Sequence, residues 1–65
     1  MIHKLSSREL LQKLQSEGWY PVHQNGSHLK LRHATRGGIV IVPHPRKDLP
    51  AGTLRAIYRQ AGWSE

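Results

Sequence analysis

The chain has 65 residues, ten Lys and Arg against four Asp and Glu, a formal net charge of +6 and no cysteine. That length admits one domain, residues 1–65, with a core worth roughly 3–5 kcal/mol; without cysteine, disulfides and thiolate metal sites are excluded. No apolar run reaches the ~18–20 residues that span a bilayer, and MIHKLSSREL lacks the apolar centre of a signal peptide, so the expectation is a cytoplasmic protein with no membrane partner. The basic balance points to a polyanion, nucleic acid above all, or to an acidic protein.

Ser6-Ser7-Arg8-Glu9 opens the first predicted helix. Ser6 and Glu9 have the spacing of a capping box, and Leu5 and Leu10 stand at the staple positions beside it. Leu10, Leu11 and Leu14 make one apolar stripe, and Gly18 ends the helix. Trp19 to Gln24 reads as a strand, placed at an edge by Pro21. Asn25-Gly26 predicts a two-residue type I′ turn. Leu29 and Leu31 then alternate with Lys30 and Arg32, the mark of a half-buried strand. Thr35 to Gly38 supplies the next turn. Ile39 to Val42 is apolar on both faces and is expected to be central or covered. Asp48 can cap a second helix with Pro50 in its first turn. Leu54, Ile57, Tyr58 and Ala61 form that helix's buried face, and Gly62 ends it. The result is an α+β fold, a three-stranded antiparallel sheet with two helices on one face.

If Asn25-Gly26 is the whole loop, Gln24 opposes Ser27, His23 opposes His28, Val22 opposes Leu29 and Tyr20 opposes Leu31. Tyr20, Val22, Leu29 and Leu31 then face the helices, and His23, His28, Lys30 and Arg32 share the open face. An exposed imidazole beside cations suits RNA chemistry. A neutral His28 can take the proton of a ribose 2′-hydroxyl, and the alkoxide attacks the adjacent phosphorus to leave a cyclic phosphate and a 5′-hydroxyl. Lys30 or Arg32 balances charge on the phosphorane, with no metal or other cofactor. The plainer reading of each histidine is a solvated surface residue, and His3, His33 and His44 are read so. Spacings of five scatter the histidines over opposite faces, and carboxylates are few, so a closed zinc site is not expected. Trp19 and Trp63 read as seals of a small core rather than base-stacking platforms, although strict alternation puts Trp19 on the open face. Arg46, Lys47, Arg55 and Arg59 are candidate phosphate contacts or a solvated face.

The chain resembles the HicA-type toxins, mRNA interferases of bacterial toxin–antitoxin pairs. The likeness runs through SSRELLQKLQSEGW, QNGSHLKLRH, IVIVPHP and LPAGTLRAIYRQAGW, and its sharpest element is Gly26-Ser27-His28. The resemblance implies an α-β-β-β-α fold like that of double-stranded-RNA-binding domains, and ribosome-independent cleavage of mRNA that arrests translation. It implies His28 as the catalytic residue within the motif of Gly26 and Ser27, and a cognate HicB-type antitoxin that masks the active face. It assigns no role to His23. Lys30, Arg32, Arg46 and Lys47 remain the candidate RNA contacts. The alternative from another class is a non-catalytic RNA-binding module. A double-stranded-RNA binder spans about 16 base pairs, more basic surface than 65 residues easily give, which favours single strands or locally opened RNA.

Overall fold

A computed structural model describes residues 5–63. The order is α1 (Ser7–Ser16), β1 (Trp19–Asn25), β2 (His28–His33), β3 (Val40–Pro43) and α2 (Ala51–Ala61). The strands form one antiparallel sheet in the order β1-β2-β3. This is the α+β architecture expected from the sequence. Both helices pack against the sheet, burying Leu10, Leu11, Leu14, Trp19, Leu31, Val40, Val42, Leu49, Leu54, Ile57 and Ala61 between them.

Helix α1 begins as its capping box requires. The Ser6 N–H and hydroxyl both donate to Glu9 Oε1 at 3.0 Å, and the Glu9 N–H donates back to Ser6 Oγ at 3.1 Å. Gly18 follows the C-cap with φ +100°, a conformation that costs glycine little. Helix α2 differs from expectation at its start. Its N-cap is Pro50, with no side-chain cap bond, so Asp48 does not cap it. Its end is as read, with Gly62 at φ +79°.

The hairpin register also differs. The two loop residues are Gly26 and Ser27, and the pairs are Asn25–His28, Gln24–Leu29, His23–Lys30, Pro21–Leu31, Tyr20–Arg32 and Trp19–His33. Gly26 has φ +62° and Ser27 does not have positive φ, the order a type II′ turn uses rather than type I′. A bulge lies between Pro21 and His23. It returns Trp19 to the helix-facing side and turns Tyr20 out, so Tyr20 and Val22 are exposed at 46% and 45% rather than packed on the helices. Burying an indole recovers about 4–6 kcal/mol of apolar area. That outweighs the roughly 1–3 kcal/mol cost of a Trp19 N–H with no acceptor among the described residues.

Strand β3 is an edge strand, not central, and Ile41 is exposed on the open face. Its double-sided apolar pattern is misleading because only Val40 and Val42 enter the core. The edge is closed by α2, whose Gln60 side-chain oxygen accepts the Ile41 N–H at 3.0 Å, a local protection against strand addition.

Candidate functional site

Strand alternation puts His28, Lys30 and Arg32 on the sheet face away from the helices, with steps of ~7 Å between them. Cross-strand pairing adds Asn25 beside His28, His23 beside Lys30 and Tyr20 beside Arg32 from β1. Strand β3 adds Pro43 beside His28 and Ile41 beside Lys30. His23, His28 and Arg32 are exposed and Lys30 is half-buried. None of the three strands contains an Asp or Glu, so the face is cationic without an internal counter-charge.

His28 therefore stands at the first position of β2, immediately after Gly26 and Ser27. The turn is tied down from the neighbouring strand end. The His44 N–H donates to the Ser27 carbonyl at 2.7 Å, and the Gln24 side-chain amide donates to the carbonyls of Gly26 and His44, each at 3.2 Å. His23 is not opposite His28. It is the diagonal neighbour on the same face, a relationship of ~7–8 Å or somewhat less between Cβ atoms.

Arg46 and Lys47 belong to a different group. With Ser6, Ser7, Arg8, His44 and Pro45 they line an open cavity of about 360 Å³ where the β3–α2 connection meets the start of α1. The Ser7 N–H donates to the Arg46 carbonyl at 2.9 Å. The buried Ser7 hydroxyl accepts the Arg46 N–H at 2.9 Å and bonds His44 Nδ1 at 2.7 Å. The sequence-predicted RNA contacts thus fall into two clusters, Lys30 and Arg32 on the open face and Arg46 and Lys47 around this cavity. Arg8 lines the same cavity because its neighbour Ser7 bonds Arg46, nearly forty residues away in sequence, for which no local pattern is a signal.

Two histidines read as surface residues are structural instead. His44 is held by Ser7 as above. His33 bonds the Glu17 carbonyl through Nε2 at 2.7 Å, while its Nδ1 accepts the N–H groups of Thr35 and Arg36 at 3.1 and 3.2 Å. Because Nδ1 is an acceptor, Nε2 carries the hydrogen and donates. His3 lies outside the described residues. Trp19 and Trp63 seal the core. Trp19 meets His33 edge to face at 5.2 Å. Trp63 meets Tyr58 at 5.1 Å, donates its N–H to Glu17 at 2.7 Å and lies 4.6 Å below the Lys13 ammonium.

Among the described residues, no three His, Asp or Glu side chains converge as a metal site would require, and no helix is long and apolar enough to cross a membrane. A family model, described as the HicA toxin of bacterial toxin–antitoxin systems, matches residues 7–63, most of the chain. No curated protein matches it.

Proposed function

The chain belongs to the HicA toxin family of bacterial toxin–antitoxin systems, and on that footing we propose that it is an endoribonuclease that cleaves mRNA and arrests translation. The observation that carries the reading is the exposed His28 at the head of β2, on a face that also presents Lys30 and Arg32 and no carboxylate.

RNA is drawn to this face by its charge, and phosphates settle beside Lys30 and Arg32. The His28 imidazole accepts the proton of a ribose 2′-hydroxyl. The freed oxygen forms a bond to the adjacent phosphorus as the bond from phosphorus to the 5′-oxygen breaks. The departing 5′-oxygen takes a proton from His23, which sits diagonally across the hairpin on the same face. The products are a 2′,3′-cyclic phosphate and a 5′-hydroxyl; the proton gained by His28 returns to solvent and His23 regains one from it. Lys30 offsets the charge that accumulates on the phosphorane. Arg46 and Lys47 hold a more distant phosphate of the same strand. Gly26 and Ser27 set the position of His28 through the turn. The partner is a HicB-type antitoxin that covers this open face and keeps RNA away.

The test is purified protein with a defined RNA, with and without His28→Ala. New 5′-hydroxyl ends are expected with the parent and a loss of ~10²–10⁴-fold with the variant. Equal cleavage by both would overturn the assignment of His28. Salt-sensitive RNA binding without any new ends would mean a non-catalytic RNA-binding module instead.

A further inference from the structure

The fold uses three of its four aromatic side chains internally. Trp19 is buried, and Tyr58 and Trp63 pack on each other under Lys13. Tyr20 is the exception, nearly half exposed near the start of the edge strand β1. Its position comes from the bulge between Pro21 and His23. Were the pairing of His23 with Lys30 continued without the bulge, Tyr20 would face the helices and Trp19 would face outward. The bulge exchanges them, which buries the larger ring and places a phenol on the face of His28.

There Tyr20 stands opposite Arg32, with Cβ atoms ~4.5–5.5 Å apart. Arg32 lies four residues along β2 from His28, ~13 Å. A flat ring and a planar guanidinium, side by side on a cationic surface, match the chemistry of an unpaired nucleobase. Bases stack on aromatic rings and on arginine planes, while the flanking phosphates take the charges.

We infer that Tyr20 is a base-stacking residue that, with Arg32, holds one unpaired nucleobase of the RNA ~13 Å from the histidine at the head of β2. This inference rests on the reading of the open face as an RNA-binding surface. It adds a positioning role that the Gly26-Ser27-His28 motif does not contain. It also accounts for an exposed ring in a domain with little apolar material to spare.

The experiment measures affinity for a labelled single-stranded RNA in the His28→Ala background, where the RNA stays intact. Tyr20→Ala is expected to weaken binding roughly 5- to 100-fold, the worth of one lost stack, and Tyr20→Phe to bind as the parent does. Val22→Ala, at the exposed bulge, serves as the neighbouring control and leaves affinity unchanged. An RNA with an abasic nucleotide at the stacked position should bind the parent more weakly by the same factor and should bind Tyr20→Ala with no further loss. Parent-like RNA affinity in Tyr20→Ala would overturn the inference and leave the nuclease reading standing, as would a loss confined to binding of a protein antitoxin. Failure of the His28→Ala parent to bind RNA at all would overturn the inference together with the reading beneath it.

Discussion

Asn25 and His28 are the closing pair of the β1–β2 hairpin, so the proposed catalytic ring begins its strand directly beside a two-residue turn. Its placement depends on that turn's backbone. Gly26 has φ +62°, and a Cβ built on it meets nothing within 4 Å. Gly26→Ala is therefore expected to cost only the strain of a positive φ at the first position of the turn, about 1–3 kcal/mol. Urea unfolding should show a lower midpoint at unchanged slope. A loss well beyond that range would mean the turn makes contacts absent from this structure.

The diagonal relation of His23 to His28 predicts a split kinetic signature. His23→Ala should lower the single-turnover cleavage rate by ~10²-fold, the low end for loss of a proton carrier. Affinity for uncleaved RNA should change far less than the rate, because the phosphate contacts of Lys30 and Arg32 remain. Stability should stay within ~0.5 kcal/mol, since the side chain is exposed. A variant that cleaves at the parent rate would remove His23 from the mechanism.

The elements that could be read locally were those with self-contained chemistry. Ser6 and Glu9 satisfy each other's neighbouring N–H groups within one turn, and Gly18 and Gly62 end helices through their own φ angles. The faces of β1 were not legible in the same way. Asn25-Gly26 and Gly26-Ser27 are both acceptable two-residue turns, and choosing between them changes each residue's cross-strand partner but leaves His23 and His28 on one face. What inverts Trp19 and Tyr20 is the bulge between Pro21 and His23, and the gain that favours it, burial of Trp19 against the helices, is a tertiary effect. Likewise, β3 looks central because Ile41 is apolar, and only the strand order and the cover from Gln60 reveal an edge. His28, Lys30 and Arg32 were grouped correctly because alternation along β2 does not depend on the turn. The partnership of Arg8 with Arg46 and Lys47 required the folded chain.

Ser7 ties the start of α1 to the loop that carries Arg46 and Lys47. Its side chain is almost wholly buried, and Ser7→Ala would leave the Arg46 N–H and His44 Nδ1 without partners. The expected cost is about 1–3 kcal/mol. His44→Ala should cost less, because the Ser7 hydroxyl can turn to the Arg46 carbonyl 3.3 Å away. Denaturant midpoints of the two variants check the order, and a larger loss for His44→Ala would contradict it.

The capping box makes helix α1 sensitive to acid. The Ser6 backbone N–H first, and its hydroxyl second, favour the charged Glu9 carboxylate and hold it below its ordinary value. A lowered carboxylate contributes stability that is present above the unfolded-state value and is lost as pH falls through the folded one. Thermal unfolding of the parent from neutral pH down to about pH 3 should show this loss, and Glu9→Gln should flatten that part of the curve. Separately, Ser6→Ala should cost ~0.5–2 kcal/mol at neutral pH through the missing cap hydroxyl. An acid limb unchanged in Glu9→Gln would place the sensitivity elsewhere.

Gly18 provides the sharpest contrast with Gly26. It combines φ +100° with a site where a Cβ would come within 2.6 Å of His33 Nε2. That ring cannot swing away cheaply, being fixed to Glu17 on one side and to the Thr35 and Arg36 N–H groups on the other. Gly18→Ala should therefore cost the backbone term of about 1–2 kcal/mol and also a hydrogen-bond loss of about 1–3 kcal/mol, exceeding Gly26→Ala. In a His33→Ala background the collision is gone, so Gly18→Ala should cost only the backbone term, a coupling of at least ~1 kcal/mol between the two sites. The near-ultraviolet circular dichroism of Trp19, whose ring meets His33 edge to face, should change in Gly18→Ala and not in Gly26→Ala. Additive losses in the double variant would show that the imidazole yields to the new methyl, and that Gly18 is needed for its φ alone.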